Sequence, residues 1–295
     1  MMRFAAAGLV GHAGVMDHSP TVRGRRLMRE LKRLREASGL TPDEAAARLD
    51  FSRSKIYRLE NGKSRIDADD LEDMLDLYGI TSPERDALIQ LGKAARRRGW
   101  WTRYKDVFSG SYVVLESEAS NIRRCASLVP GIFQTEDYAR AVIAATGPWL
   151  SREETERRVT ARATRQKALF SSTQIPRMHV VLDESVLRRQ VGGPDVARAQ
   201  MTALARAAQR PQVTIQVLPF TAGAAAGIDG DFVILDFPDP EDLSVVYVEG
   251  LFGDLYLESK GETDRYVLAW GHLAEQALDP AASLAMIADL AKDPR

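Results

Sequence analysis

The stretch FSRSKIYRLENG, residues 51–62, mixes basic and hydroxyl side chains with two apolar residues, Ile56 and Leu59. Ser52 lies where a helix would begin, because a serine hydroxyl in that place accepts a hydrogen bond from a free backbone amide. Gly62 lies where the helix would end, because glycine tolerates the left-handed backbone found after many helices. With the apolar pair facing a core, the pattern predicts a short helix whose opposite face is basic, exposed and suited to a polyanion.

A second short helix is predicted directly before this stretch. Thr41 is a suitable N-cap, Pro42 suits the first turn, and Glu44 follows three residues after the cap, which completes a capping box. We expect this helix to run to about Leu49.

Two short helices joined by a tight connection form a helix-turn-helix. Asp50 and Phe51 make the connection, and the small Ala45 and Ala46 let the two helices cross closely. The basic helix, predicted over residues 52–61, is about 15 Å long, so its end can enter a major groove about 12 Å wide.

Three further helices are predicted around this pair, giving a mainly α, five-helix domain over residues 21–98. Their landmarks are a helix over residues 25–38 ended by Gly39, a helix capped by Asp67 or Asp69, and a helix capped by Ser82 that runs to Arg98.

The run SGLTPDEAAARLDFSRSKIYRLENGKSRI resembles the phage-repressor type of helix-turn-helix, the Cro/C1 or xenobiotic-response-element (XRE) class, over roughly residues 22–98. Two positions depart from the family pattern. Members usually carry a phosphate-binding Gln where this chain has Pro42, and Gly where it has Asp50, although Asp tolerates the left-handed conformation better than most residues. The resemblance implies a regulator whose partner is double-stranded DNA.

The resemblance also implies roles for the basic helix, and the chemistry permits them. Arg53 and Lys55 can reach base edges, where Arg pairs well with guanine, while Ser52 and Ser54 suit phosphate or base contacts. Arg58 and the basic residues outside the helix suit phosphates, and Glu60 and Asn61 are expected to stabilise the helix end. The full set of candidate DNA-binding residues is Ser52, Arg53, Ser54, Lys55, Tyr57, Arg58, Lys63, Arg65, Arg25 and Arg29.

Charge is distributed unevenly along a chain whose formal net charge is −1. Residues 21–105 hold 20 Lys and Arg against 14 Asp and Glu, whereas residues 106–295 hold 19 against 26. The two parts are therefore expected to have different partners.

A cytoplasmic location is expected from the cysteine content and from hydropathy. Cys125 is the only cysteine, so disulfides and cysteine-built metal sites are excluded, and we expect it to be a core residue in a helical run, ASNIRRCASLV. No apolar run approaches the length of a membrane span. Residues 1–20 make a poor signal peptide and are predicted to be a disordered tail, with translation starting at either Met1 or Met16.

The second domain, residues 99–295, is predicted to be α+β. Residues 116–170 are predicted to be helical, and further helices are expected over residues 184–189, over 194–209 and at the end of the chain. Strands are predicted over residues 177–183, 212–220, 231–237, 244–249 and 254–259. Trp100, Trp101 and Tyr104 lie at the junction, where they suit docking of the head, a dimer contact or ordinary burial.

The runs SLVPGIFQTEDYARAVI, VVLDESVLRRQVGG and VTIQVLPFTAGAAAGIDGDFVILDFPD resemble the uncharacterised domain that follows such heads in many actinobacterial regulators. That resemblance implies transcriptional regulation, with a small protein encoded nearby as a possible partner. It supplies no catalytic residues.

No enzymatic motif is recognised in the second domain. The glycine-rich run TAGAAAGIDGDF has neither a GK[ST] ending nor G-x-G-x-x-G spacing, and the histidines show no metal spacing. We therefore expect no catalytic, cofactor or metal site, although the acidic residues 229–242 leave open a surface for a basic partner or a divalent ion.

The sequence predicts a sequence-specific transcription regulator that forms a homodimer, because heads of this kind usually bind two half-sites. Two alternatives remain at this point. One is an antitoxin or immunity protein whose main role is to bind a small partner, and the other is an enzyme with a DNA-binding head.

Overall fold

The computed structural model describes residues 21–62, 64–96, 99–108, 112–250 and 253–292. The predicted tail over residues 1–20 and the candidate Lys63 lie outside these ranges. The chain divides into two compact units, and the boundary between them in the sequence follows Arg96.

Five helices form the first unit, as the sequence predicted. They are α1 (Val22–Ala37), α2 (Pro42–Arg48), α3 (Arg53–Glu60), α4 (Ala68–Leu77) and α5 (Glu84–Ala95). Leucines of α1 and α4 pack against Ile56 and Leu59 of α3 in one apolar core. Burial of these side chains, rather than the intrinsic stability of such short helices, holds the unit together.

Most of the predicted helix starts are confirmed by their hydrogen bonds. The amide of Glu44 donates to the Thr41 hydroxyl, and the Glu44 carboxylate accepts from the Thr41 amide, which is the expected capping box. Ser52 accepts from the amide of Lys55, and Asp67 accepts from the amide of Asp70.

The predicted cap of α5 was wrong. The cap position is occupied by Pro83, which has no side chain able to accept a hydrogen bond, and α5 begins at Glu84. Ser82 therefore lies one residue too early to cap the helix, and it precedes Pro83 through a cis peptide bond.

The turn between α2 and α3 uses the left-handed conformation at Asp50, where φ is 54°. A short polar side chain tolerates this conformation, so Asp50 fills the place that glycine takes in the resembling family. The substitution leaves the helix-turn-helix connection intact.

A six-stranded mixed sheet forms the centre of the second unit, with the spatial order β3-β2-β1-β4-β5-β6. The strands are β1 (Asn121–Ala126), β2 (Arg177–Asp183), β3 (Val213–Leu218), β4 (Phe232–Asp236), β5 (Val245–Val248) and β6 (Leu255–Leu257). β1, β2 and β3 run parallel, while β4, β5 and β6 continue the sheet in antiparallel pairs. The α+β class expected for this domain is confirmed.

The helical assignment of residues around Cys125 was wrong. These residues form β1, which is paired on one side with β2 and on the other with β4. A short apolar run fits a buried strand as well as a helix, and pairing along both edges decides between them. Cys125 is nevertheless buried in the core, as expected.

Seven α-helices of the second unit lie in the described part of the chain. They are α6 (Tyr112–Glu118), α7 (Glu136–Thr146), α8 (Arg152–Phe170), α9 (Glu184–Arg188), α10 (Pro194–Ala207), α11 (Lys260–Gln276) and α12 (Pro280–Lys292). α12 packs on both α10 and β3, and α11 covers the sheet near Cys125 with Trp270 and Leu273. None of the helices in the described ranges combines the length and apolar character that a membrane crossing needs.

The aromatic residues after the first unit pack within the second unit. Trp100 lies edge-on to Trp101, Tyr104 and Phe108, with ring centroids 5.6–6.3 Å apart. The Tyr104 hydroxyl lies 3.2 Å from the Thr164 hydroxyl of α8. These contacts are those of ordinary packing between this segment and α8.

Candidate nucleic-acid interface

The two faces of α3 differ as the sequence predicted. Ile56 and Leu59 are fully buried, which fixes the rotation of the helix. The side chain of Tyr57 is 57% exposed and also interacts with a neighbouring group. The other exposed members of the candidate set on this helix and its cap are Ser52, Arg53, Ser54 and Arg58.

A buried ion pair fastens the end of α3 to α1. Two guanidinium nitrogens of Arg35 contact the Glu60 carboxylate at 2.5 and 2.9 Å, and a third donates to the carbonyl of Leu40 at 2.7 Å. The side chains of Arg35 and Glu60 are only 5% and 8% exposed. The hydrogen bonds that Arg35 donates to Glu60 raise the pKa of Arg35, so its guanidinium is charged at neutral pH. Glu60 therefore stabilises the helix end, as expected.

Arg53 at the first turn of α3 is the most solvated of the predicted base readers. Its side chain is 83% exposed, and its Nε lies 2.7 Å from the carboxylate of Asp43 on α2. Exposed ion pairs contribute little stability because water competes for both partners. Arg53 can therefore exchange Asp43 for a base edge or a phosphate at small cost.

Lys55 occupies a different environment from Arg53. Its ammonium lies 2.6 Å from the Asp70 carboxylate of α4 and 3.6 Å from the centre of the Phe51 ring. The side chain is one-third exposed. Asp70 is a partner of Lys55 that sequence reasoning missed, since it lies fifteen positions along the chain and on another helix.

The remaining candidates are spread over the first unit. Arg65 is exposed in the segment after α3. Arg29 is exposed on α1 and Arg25 is partly buried one turn earlier, and both make contacts within the structure.

The first unit is not uniformly basic, because α4 carries an acidic outer surface. Asp69, Glu72, Asp73 and Asp76 are all exposed on this helix, and Arg85 neutralises only part of their charge. A head with separated positive and negative regions is oriented by the field of a polyanion before contact.

In the second unit the acidic residues around β4 are used within the fold. Asp236 accepts from Asn121, Arg123 and Ser244, and Asp231 accepts from the amide of Ser127. Across the described ranges, no group of three or more His, Cys, Asp or Glu side chains is arranged to hold a metal ion.

The helix-turn-helix fold and the exposed basic face of α3 define a DNA-binding regulator. Residues 26–88 match a family model described as Helix-turn-helix domain. Residues 109–289, more than half of the chain, match the Domain of unknown function (DUF5753), and the chain belongs to that family. This combination confirms the predicted kind of protein, a helix-turn-helix regulator with an uncharacterised C-terminal domain. Neither curated proteins nor solved structures give a match.

Proposed function

We propose that this chain is a cytoplasmic, sequence-specific transcription regulator of the Cro/C1 (XRE) type. The observation that carries the proposal is the division of α3 into a buried apolar face and an exposed basic face next to the turn at Asp50. In helix-turn-helix proteins the second helix of the motif lies in the major groove and presents its N-terminal residues to the bases.

The roles of the side chains follow from their positions on α3. Arg53 lies in the first turn, and its planar guanidinium suits bidentate binding to guanine O6 and N7. The hydroxyls of Ser52 and Ser54 lie beside it. Phosphate contacts are assigned to the basic residues farther from the start of α3. These residues are Arg58, Lys63, Arg65, Arg25 and Arg29.

The second unit is proposed to supply dimerisation and the sensing of a ligand or a partner protein. Its acidic balance makes it a poor DNA-binding surface, which supports a division of labour between the units. We propose no catalytic step and no cofactor for either unit.

The test separates base reading from phosphate binding on one helix. After selection of the preferred DNA sequence, affinities of Arg53→Ala and Arg58→Ala for that sequence and for random DNA are measured by fluorescence anisotropy at several salt concentrations. Arg53→Ala is expected to lose about 1–3 kcal/mol on the preferred sequence and much less on random DNA. Arg58→Ala is expected to weaken both alike and to reduce the salt slope by about 1.

Equal losses on the two DNAs for Arg53→Ala would remove base reading from that residue. A protein without sequence preference in the selection step would contradict the proposed function as a whole.

A further inference from the structure

A cleft of about 450 Å³ lies in the second unit between the short helical turn Gly131–Phe133, α7, α8 and α10. One part of its lining is apolar and includes Phe133, Val159 and Phe170. The other part carries three arginines, Arg162, Arg206 and Arg210, against one carboxylate, Glu136. A basic and apolar lining of this size matches the dimensions of small-molecule sites.

The three arginines form no salt bridge with Asp or Glu within the described ranges. By contrast, Arg140 of α7 and Arg157 and Arg165 of α8 are each paired with Asp or Glu. Arg162 donates to the side-chain oxygen of Gln134, which is neutral. The guanidinium of Arg210 lies 4.2 Å from the centre of the Phe170 ring, a cation–π contact that leaves its hydrogen-bond donors available.

Arg162 is the deepest of the three, and its charge is disfavoured in this structure. Burial and the neighbouring positive charge of Arg165 lower the pKa of Arg162 to about 10, although the Glu249 carboxylate acts in the opposite direction. Arg165 is itself neutralised by a buried pair with Glu116, so that carboxylate is not available to Arg162. A partly buried cation whose hydrogen bond goes to a neutral amide is stabilised further by an anion that contacts it directly.

The floor of the cleft is held in place by side-chain amides. Gln166 donates to the carbonyls of Gly131 and Gln134, and the fully buried Gln200 donates to the carbonyl of Phe133 and accepts from the amide of Thr135. The turn that carries Gln134 is therefore fixed before any ligand arrives. A preformed site loses little conformational freedom on binding.

We propose that this cleft binds a small organic anion, in which a carboxylate or phosphate contacts the arginines and a planar apolar body lies along Phe170. Guanidinium groups bind both oxyanions in bidentate geometry. The role of such an anion as an effector rests on the proposed regulatory function, but its binding does not.

Isothermal titration of the full chain, without DNA, tests the proposal with three probes of one shape. 2-Naphthoate carries a carboxylate, 2-naphthyl phosphate carries a phosphate, and 2-naphthamide is the neutral counterpart. The variants are Arg206→Gln and Arg210→Gln, which alter exposed side chains and leave the core untouched. Arg198→Gln is the matched control, because Arg198 is exposed on the same helix outside the cleft.

At least one anionic probe is expected to bind one per chain and about tenfold more tightly than 2-naphthamide. Arg206→Gln and Arg210→Gln should each weaken that probe about tenfold, and Arg198→Gln should not. The stronger of the two anions identifies the oxyanion that the site prefers.

Three results would overturn the proposal: 2-naphthamide binding as tightly as the anions, anion binding that both cleft variants leave unchanged, or no binding of either anion at millimolar concentration. Because DNA is absent, a failure here leaves the Arg53 experiment unaffected. Failure of base reading would equally leave this titration valid.

Discussion

Arg53 and Lys55 stand two positions apart on α3, yet the structure holds them in different ways. Arg53 is largely solvated and paired with an exposed carboxylate, whereas Lys55 lies between Asp70 and the ring of Phe51. The residue types and the cap at Ser52 are visible in the sequence, so the exposed basic face of α3 could be predicted. The partner of Lys55 could not, because it depends on how α4 packs beside α3.

Asp70→Asn is expected to release Lys55 for DNA. The amide keeps the shape of the side chain but no longer holds the ammonium by charge, so affinity for random DNA should rise several-fold and the salt slope should increase by about 1. The measurement is fluorescence anisotropy over a range of salt concentrations.

Asp73→Asn is the control for the change in net charge, since Asp73 is exposed on the same helix and the ion pair of Lys55 is with Asp70. An equal gain in the two variants would mean that Lys55 stays away from the DNA.

At the scale of elements, the orientation of α3 depends on its buried anchor to α1. Caps and apolar spacing predict where the helices begin and which faces are buried, because these signals are local in sequence. The Arg35–Glu60 pair joins residues 25 positions apart and could not be predicted from either helix alone. The same limit applies to β1, whose helical prediction failed because its identity as a strand depends on its neighbours β2 and β4.

Arg35→Ala is expected to lower the free energy of unfolding of the first unit by about 3–5 kcal/mol. The reason is that Glu60 would remain buried without its cation. Urea unfolding followed by circular dichroism measures the loss. Arg33→Ala removes solvent-accessible pairs with Glu30 and Glu84 and should cost less than about 1 kcal/mol. Similar losses in both variants would show that burial does not make the Arg35–Glu60 pair more important for stability.

Gly227→Ala is expected to destabilise the second unit by about 1–3 kcal/mol, because a Cβ at position 227 would overlap the sulfur of Cys125 on β1. Cys125→Ala removes that sulfur, so the double variant should lose at least about 0.5 kcal/mol less than the sum of the single variants. Chemical denaturation of the four proteins gives this coupling, and strict additivity would contradict the contact.

At the scale of the whole molecule, the chain combines a basic α-helical head with a larger acidic α+β unit. Composition and element order predict this arrangement, since helical periodicity gives way to runs of β-branched residues after position 176. Strand order and the basic cleft were not predicted, because both arise from contacts between segments far apart in sequence.

We expect the chain to act as a homodimer on DNA that carries two half-sites. Light scattering should give twice the chain mass, and inserting about 5 bp between the half-sites should weaken binding strongly, because it turns them to opposite sides of the duplex. Single half-site DNA serves as the control. A monomer both free and on DNA, with no effect of spacing, would contradict the dimer.

The position of Cys125 has a practical consequence for following these events. It is the only cysteine of the chain, it is buried in the sheet, and burial raises its pKa to about 12. Maleimide dyes need an accessible thiolate, so they should not react with the native protein near neutral pH. A cysteine introduced at Ser54 would take up a single fluorophore on the exposed side of α3, and its emission would record the arrival of a duplex in real time.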